Sequence, residues 1–469
     1  MDSILDRKVT SLSQRSIGKA LFSLSLPIVI SNTLYMSHQL VNAFWVGRLG
    51  ADAIATVSVS SPVVFLLVSL SGGLAAAGSI LVAQYAGAHS HTAVNRVSAQ
   101  TLLMVVAISV VLSVIGYVLV NPILRLMGIG ADIFEDAAQY MKVSFLGIVF
   151  MFTFAMFQSI LRGIGEVKMP LYIIAFSAVL NLILDPLFIF GWGPLAPGGV
   201  VGAAYATLVT QGLATLAGFW SLFGSHYGIR LRLRDFVPDM TLVKRVLLIG
   251  LPASIEQSAL ALGMTVLTVF VSHFGTTAIA AFGIGFRVLT LVTIPASGMS
   301  MAAATLVGQC IGAGDIARAK KTAVICAWYA FWLLTAVAIV IFVGATPVVR
   351  FFVPEDPAVI REGAVVLQWM AVSFSLIGVQ MSLVGAFRGA GDTFVPMVLA
   401  IVSMWVIRIP VAYCLSHYTS LGERGLWYSF PAPVIAITIM TIVRFNRQNW
   451  KPLALIKETG GAIRVTPTP

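Results

Sequence analysis

The chain reads twice. VGRLGADAIATV at 46–57 returns as VSHFGTTAIAAF at 271–282, displaced by 225 residues. The same displacement pairs Leu26-Pro27 with Leu251-Pro252 and LVAQYAGA (81–88) with LVGQCIGA (306–313), and a one-residue drift pairs LRGIGEVKMP (161–170) with FRGAGDTFVP (387–396). Register held over so many segments means two halves of one design, so any fold for this chain is a duplication.

Composition decides what the halves are. Hydrophobic residues make up 58% and charged residues 10% of the 469, with a mean hydropathy of +0.96. A soluble domain averages roughly 45–50% apolar and roughly 25% charged residues. Apolar stretches long enough to cross a hydrocarbon core of about 30 Å lie near 20–45, 53–83, 97–120, 137–161, 169–190 and 201–223, then near 246–272, 278–307, 322–345, 363–386, 394–415 and 426–444. Lipid cannot satisfy open backbone groups, and the alternating pattern of barrel strands is absent, so the spans are helices. Six spans per half is an even number, so both halves enter the membrane from the same side. The expected fold is an all-α integral membrane protein of twelve transmembrane helices in two parallel six-helix lobes, related by a pseudo-twofold axis along the membrane normal. The lobes are read as 1–223 and 246–445, joined by a basic linker at 224–245 and followed by a tail at 446–469.

Charge placement orients the chain. With the N-terminus cytoplasmic, 21 of the 29 Lys and Arg fall in cytoplasmic segments and six (Arg48, Arg125, Lys142, Arg350, Arg361, Arg424) in outer loops, while Arg287 and Arg408 lie within spans. This asymmetry places both termini and the linker in the cytoplasm of a cell whose plasma (inner) membrane holds the protein. The net charge of +11 is thereby topological, and no nucleic-acid partner is needed.

Several function classes lose their residues. The run ALFSLSLPIVI after Arg15 and Lys19 pairs with span 7 and lacks a small-residue cleavage site, so it is a span and not a signal peptide. Cys310, Cys326 and Cys414 form no CxxC pair and read as packing residues. No HExxH, nucleophile elbow, Walker loop or Cys/His set occurs, so an enzyme, an ATP-driven pump and a bound cofactor are not expected. Gly72-Gly73 and Gly163-x-Gly165 fit close helix packing and tight loops.

Chemistry then rests on ionisable groups in the membrane. Of 18 acids, two lie within spans, Asp185 in span 5 and Glu256 in span 7. An intramembrane carboxylate costs at least about 2.5–3.5 kcal/mol, so each is a functional candidate. Asn181 lies one helical turn before Asp185 on the same face, and Thr207 in span 6 offers a hydroxyl. Burial favours the neutral carboxyl and a bound cation the ionised one, so such a group can exchange a proton for a cation.

The doubled six-span plan, LP near the start of spans 1 and 7, VGRLG after span 1, the RGxGD-like loops after spans 4 and 10, and NLILDP in span 5 resemble the multidrug and toxic compound extrusion (MATE) family, in its prokaryotic form, over roughly residues 17–445. The resemblance implies a two-lobe antiporter whose cavity opens alternately to each side, exporting amphipathic, often cationic compounds with a proton or sodium gradient. By position it implies a cation site at Asn181, Asp185 and Thr207, an acid at Glu256, and a role for Asp392 beside it, where turn chemistry is the competing reading. Such a transporter works as a monomer in the bilayer on a small organic substrate, without a cofactor or a firm metal site, sodium at Asp185 and Asn181 being the alternative occupant to a proton.

One position departs from the family pattern. Asn42 stands in LVNAFWVG where the family has an aspartate, which leaves any site shared with Asp185 one negative charge weaker. His38, four residues earlier, is an imidazole able to titrate near neutral pH. Proton coupling, with Asp185 as the principal carrier and Glu256 as a second, is the expectation. Tyr35, His38 and Gln39 are the polar residues assigned to substrate. A lipid-linked precursor flippase of the same superfamily, a major-facilitator carrier and a membrane-embedded transferase or receptor are the alternatives, although AQYAGAHSHTAVNR lacks the major-facilitator loop motif.

Overall fold

Long runs of Leu, Val, Ile, Ala and Phe without interior charge have one way to satisfy their backbone in lipid, and they take it as helices. In the computed structural model, which describes residues 4–191, 196–224, 227–447, 450, 457–459 and 462–464, twelve helices are long and apolar enough to cross a membrane. Spans 1 to 6 are Ile17–Gly47, Ala51–Gly87, His91–Leu126, Ala131–Gly163, Lys168–Phe190 and Gly199–Phe223. Spans 7 to 12 are Met240–Ser272, Thr276–Gly312, Ile316–Val343, Pro357–Gly389, Phe394–His417 and Glu423–Arg447. The twelve-span fold expected from sequence is the fold observed. Most helices run longer than the apolar stretches: the 37 residues of span 2, at about 1.5 Å each, outreach a core of about 30 Å.

The structure adds elements that hydropathy does not mark. A helix at Ile4–Gln14 precedes span 1, and a short helix at Ala345–Phe352 follows span 9 after a break at Gly344. Span 11 passes through a π-helical segment at Val402–Arg408, and span 12 breaks after Tyr428 and resumes at Pro431. Pro431 and Pro433 supply no N–H, so the first piece cannot run on unbroken. Part of the tail forms an antiparallel pair of short strands, Lys457–Thr459 with Ala462–Arg464, and the rest of the tail from 448, except Trp450, lies outside the described residues.

The chain divides into two compact units, residues 1–11 with 30–254 and residues 12–29 with 255–469. The division does not follow the linker. It falls two residues after Pro27 in span 1 and two residues after Pro252 in span 7, the repeat-related prolines that interrupt the hydrogen bonding of those helices.

Within the first unit the N-terminal helix buries Leu5 and Val9, and Gly228 of the linker approaches so closely that an added Cβ would lie 2.9 Å from the Leu5 nitrogen. Lys8 pairs with Glu166 and stands 4.6 Å from the centre of the Tyr227 ring. Burial and the Glu166 charge push the Tyr227 phenol above its usual range. Asp6 binds His89 Nδ1 at 2.9 Å and His91 Nε2 at 2.8 Å. Gln100 of span 3 donates to Asp235 and Val237 carbonyls at 2.7 Å and accepts from Asp239 N–H, while Arg96 pairs with Asp239 at 2.8 Å. These bonds gather the N-terminal helix, the 88–90 and 164–167 loops and the linker at one end of the unit.

Small residues set the helix packing in both units. Gly163 meets the Ser79 carbonyl at 2.9 Å from its virtual Cβ, and its repeat partner Gly389 meets Ala304 at 2.5 Å. Two loops require a left-handed residue at equivalent places: Gly314 has φ 79°, and the first half fills that position with His89 at φ 56°, the one non-glycine with positive φ among the described residues.

Candidate functional site

Span 5 carries Asn181 and Asp185 one turn apart, and both are fully buried. Pro186 follows and has no N–H, so the Leu182 carbonyl loses its usual helical donor beside the carboxyl. Both carboxylate oxygens of Asp185 and Oδ1 of Asn181 are buried without a hydrogen-bond partner among the described residues. The Asn181 amide stands beside the Asp185 carboxyl on one side and His38 on the other, and its Nδ2 donates to Thr210 Oγ1 at 3.4 Å. Tyr140 of span 4 lies close enough for its phenol to feel the Asp185 charge. Three orphan oxygens around one carboxyl form a hard donor set, which suits a proton or a sodium ion.

A cavity of about 270 Å³ opens on the other side of this cluster, at the low edge of the roughly 300–1,000 Å³ of ligand sites. Tyr35, His38, Thr207, Thr210, Gln158 and Gln211 supply polar groups to its wall, and Met151 and Phe154 supply apolar surface. Asn181 and Asp185 lie outside the lining, and Asn181 is the residue of the two that meets it, at His38 and Thr210.

The remaining sequence candidates fall in different places. Thr207 lines the cavity, but the hydroxyl that meets Asn181 belongs to Thr210, one turn further along span 6 and not singled out from sequence. Gln39 donates to the Tyr35 hydroxyl at 3.3 Å and is not part of the lining. Asn42 is half-buried on span 1 and does not line the cavity.

Glu256 lies in the second unit, buried at 6% exposure, with Oε2 2.8 Å from Arg388 Nη2. Neither that oxygen nor Arg388 Nε completes a hydrogen bond of good geometry. Arg388 is the arginine of the second RGxG loop, and only the fold reveals it as the partner. Asp392 Oδ1 accepts from Val395 N–H at 3.1 Å, while its repeat partner Glu166 accepts from Lys168 and Met169 N–H at 3.0 and 3.2 Å. Both acids cap the start of the following span. Arg408 is half-buried at the end of the π-helical segment, 5.0 Å from the centre of the Phe430 ring. Cys310, Cys326 and Cys414 are free thiols, the first two buried.

A profile of the MatE family matches residues 27–187 and 252–414, once in each half. The chain belongs to the MatE family. It is therefore a multi-pass membrane transporter and not an enzyme, and the major-facilitator reading falls away. The probable multidrug resistance protein YoeA of Bacillus subtilis is 31% identical over 94% of this chain and 95% of that protein. The probable multidrug resistance protein NorM of Thermotoga maritima is 27% identical over 94% of each. A crystal structure of MATE in complex with MaL6 superposes with a TM-score of 0.87 at 26% identity, covering 93% of this chain and 98% of the other.

Proposed function

We propose that this MATE transporter is a multidrug exporter: a proton-coupled antiporter that expels amphipathic organic, often cationic, compounds by alternating access. The observation that carries the reading is Asp185: a carboxyl with two unpartnered oxygens, one polar residue removed from a cavity lined by aromatic, thioether and amide groups. In lipid such a carboxyl is costly when charged and alone. Protonation removes the charge, and an organic cation arriving at the cavity favours its return, so the two ligands compete through one group. The single negative charge fits proton coupling better than sodium, which is held more firmly by several anionic oxygens, and Asn42 adds no charge where an aspartate would. The multidrug names of the relatives support the substrate class, and the positive-inside bias supports a plasma membrane location with both termini cytoplasmic, the chain acting as a monomer.

One pH unit supplies about 1.4 kcal/mol per proton, and one net charge crossing 100 mV about 2.3 kcal/mol. One-for-one exchange of a proton for a monovalent cation moves no net charge, so the pH gradient alone drives it. The test is uptake of a fluorescent organic cation into proteoliposomes under a proton or a sodium gradient, for the wild type and Asp185→Asn. Proton-driven uptake lost in the variant is expected. Wild-type rates in Asp185→Asn would remove this carboxyl from the mechanism, and uptake driven by sodium alone would reassign the ion.

A further inference from the structure

A larger cavity lies wholly within the second unit, between the first half of span 1 and spans 8 and 9. Its volume of about 1210 Å³ exceeds the roughly 300–1,000 Å³ of sites for drug-sized ligands. Its lining divides by position along the helices. On span 1, Lys19 is followed on the same face by Phe22 and Leu26, and on span 9 Lys321 is followed by Ile325, Tyr329 and Trp332. Both helices therefore begin basic and become apolar in the same direction. From Lys321 to Leu333 at about 1.5 Å per residue the wall runs about 18 Å, a depth comparable with one leaflet of a core about 30 Å thick.

The charges at the mouth are free. Arg318 is spent on the chain itself, donating to the Leu12 and Arg15 carbonyls at 3.4 and 2.7 Å and so holding the entry to span 1. Lys19 and Lys321 are exposed and have no hydrogen-bond or ion-pair partner among the described residues. No acid lines the cavity, and the nearby Asp315 accepts from Arg318 N–H as the cap of span 9. Span 1 packs closely on both neighbours, because Gly18 lets the Tyr329 hydroxyl approach to 2.5 Å of where a Cβ would be and Gly298 admits Val29 at the same distance. Two unpaired ammonium groups above an apolar, aromatic-edged slot match a phosphate carrying long chains, and they do not match a cation or a neutral solute.

We propose that this groove binds one anionic glycerophospholipid, with its phosphate between Lys19 and Lys321 and its acyl chains along Phe22, Leu26 and Trp332. The site is separate from the Asp185 cavity and does not depend on which compound or ion the transporter moves. A soluble phosphate would use the lysines and leave the slot empty, which gives the two sources different signatures.

Native mass spectrometry of the full chain in mild detergent tests this directly, with phosphatidylglycerol and phosphatidylcholine of identical acyl chains. Retention of one phosphatidylglycerol with a preference of roughly tenfold or more is expected, since each basic residue near a surface contributes about fivefold. The Lys19→Gln/Lys321→Gln variant should bring the two lipids within about twofold of each other. Equal retention by the wild type, or an undiminished preference in the variant, would overturn the proposal. Inorganic phosphate in excess should leave the bound lipid in place, whereas displacement would reduce the site to a phosphate contact. The wild-type comparison stands even if the variant folds poorly.

Discussion

Gly73 of span 2 lies flat against Ser254 of span 7: a Cβ built on it would stand 2.4 Å from the Ser254 backbone nitrogen and 2.6 Å from the Gly250 carbonyl oxygen. Displaced by 225 residues, Gly298 of span 8 meets Val29 and Ser25 of span 1 at 2.5 and 3.3 Å. The same four-position contact thus occurs twice, once in each unit. It explains why the first span of each repeat is shared between units at its proline.

The two glycines differ in what they touch, so their replacements should differ. Gly73→Ala presses on backbone and should cost about 1–3 kcal/mol, seen as a lower melting temperature in detergent and reduced transport. Gly298→Ala presses on the end of the Val29 side chain, and Val29→Ala should restore most of its stability. Equal effects with no rescue would mean that the contact does not limit packing.

Glu256 is buried and pairs with a half-buried Arg388, so removing the arginine strands a buried carboxylate. Arg388→Gln should destabilise by about 3–5 kcal/mol, whereas Glu256→Gln/Arg388→Gln should recover much of that loss. A thermal shift series on the three variants gives the coupling. If Glu256 is also a proton carrier, the double variant will be stable and will lose proton-driven transport, which separates structure from coupling.

Thr210 Oγ1 accepts from Asn181 and donates to the Ala206 carbonyl at 2.7 Å. Thr210→Val removes one hydrogen-bond acceptor of the buried Asn181 amide, at about 1–3 kcal/mol. Thr207→Val touches the cavity wall alone. Transport assays should show the larger loss for Thr210→Val, and the reverse order would return the site to Thr207.

His89 holds a left-handed backbone where the second half has Gly314. His89→Gly and His89→Ala both lose the contact with Asp6, so their difference isolates the backbone. The glycine variant should be more stable than the alanine variant by about 1–2 kcal/mol, measured by thermal unfolding.

Asp185 and Asn181 were legible from sequence because a carboxyl in an apolar helix is costly and a polar residue one turn away shares its face. Glu256 was legible for the same reason, but its partner was not: Arg388 sits 132 positions later in a loop motif that gave no sign of reaching span 7. Thr210 escaped because two threonines three residues apart on span 6 look alike until the rotation of that helix against span 5 is known. Asp392 looked like either a site or a turn, and in the structure its Oδ1 accepts from Val395 N–H, as Glu166 accepts from Met169 N–H in the first half.

By itself the sequence determined the duplication, through repeats held in register, and the twelve spans, the helical class and the membrane carboxyls, because lipid enforces these three through length, hydropathy and the cost of an unpaired charge. The tertiary structure decided the rest: a division through spans 1 and 7 instead of at the linker, the breaks in spans 11 and 12, the Glu256–Arg388 pair and the groove beside Lys19. Those features depend on how helices rotate and approach one another. Packing of small residues against backbone sets that rotation, and hydropathy along a single helix carries no record of it.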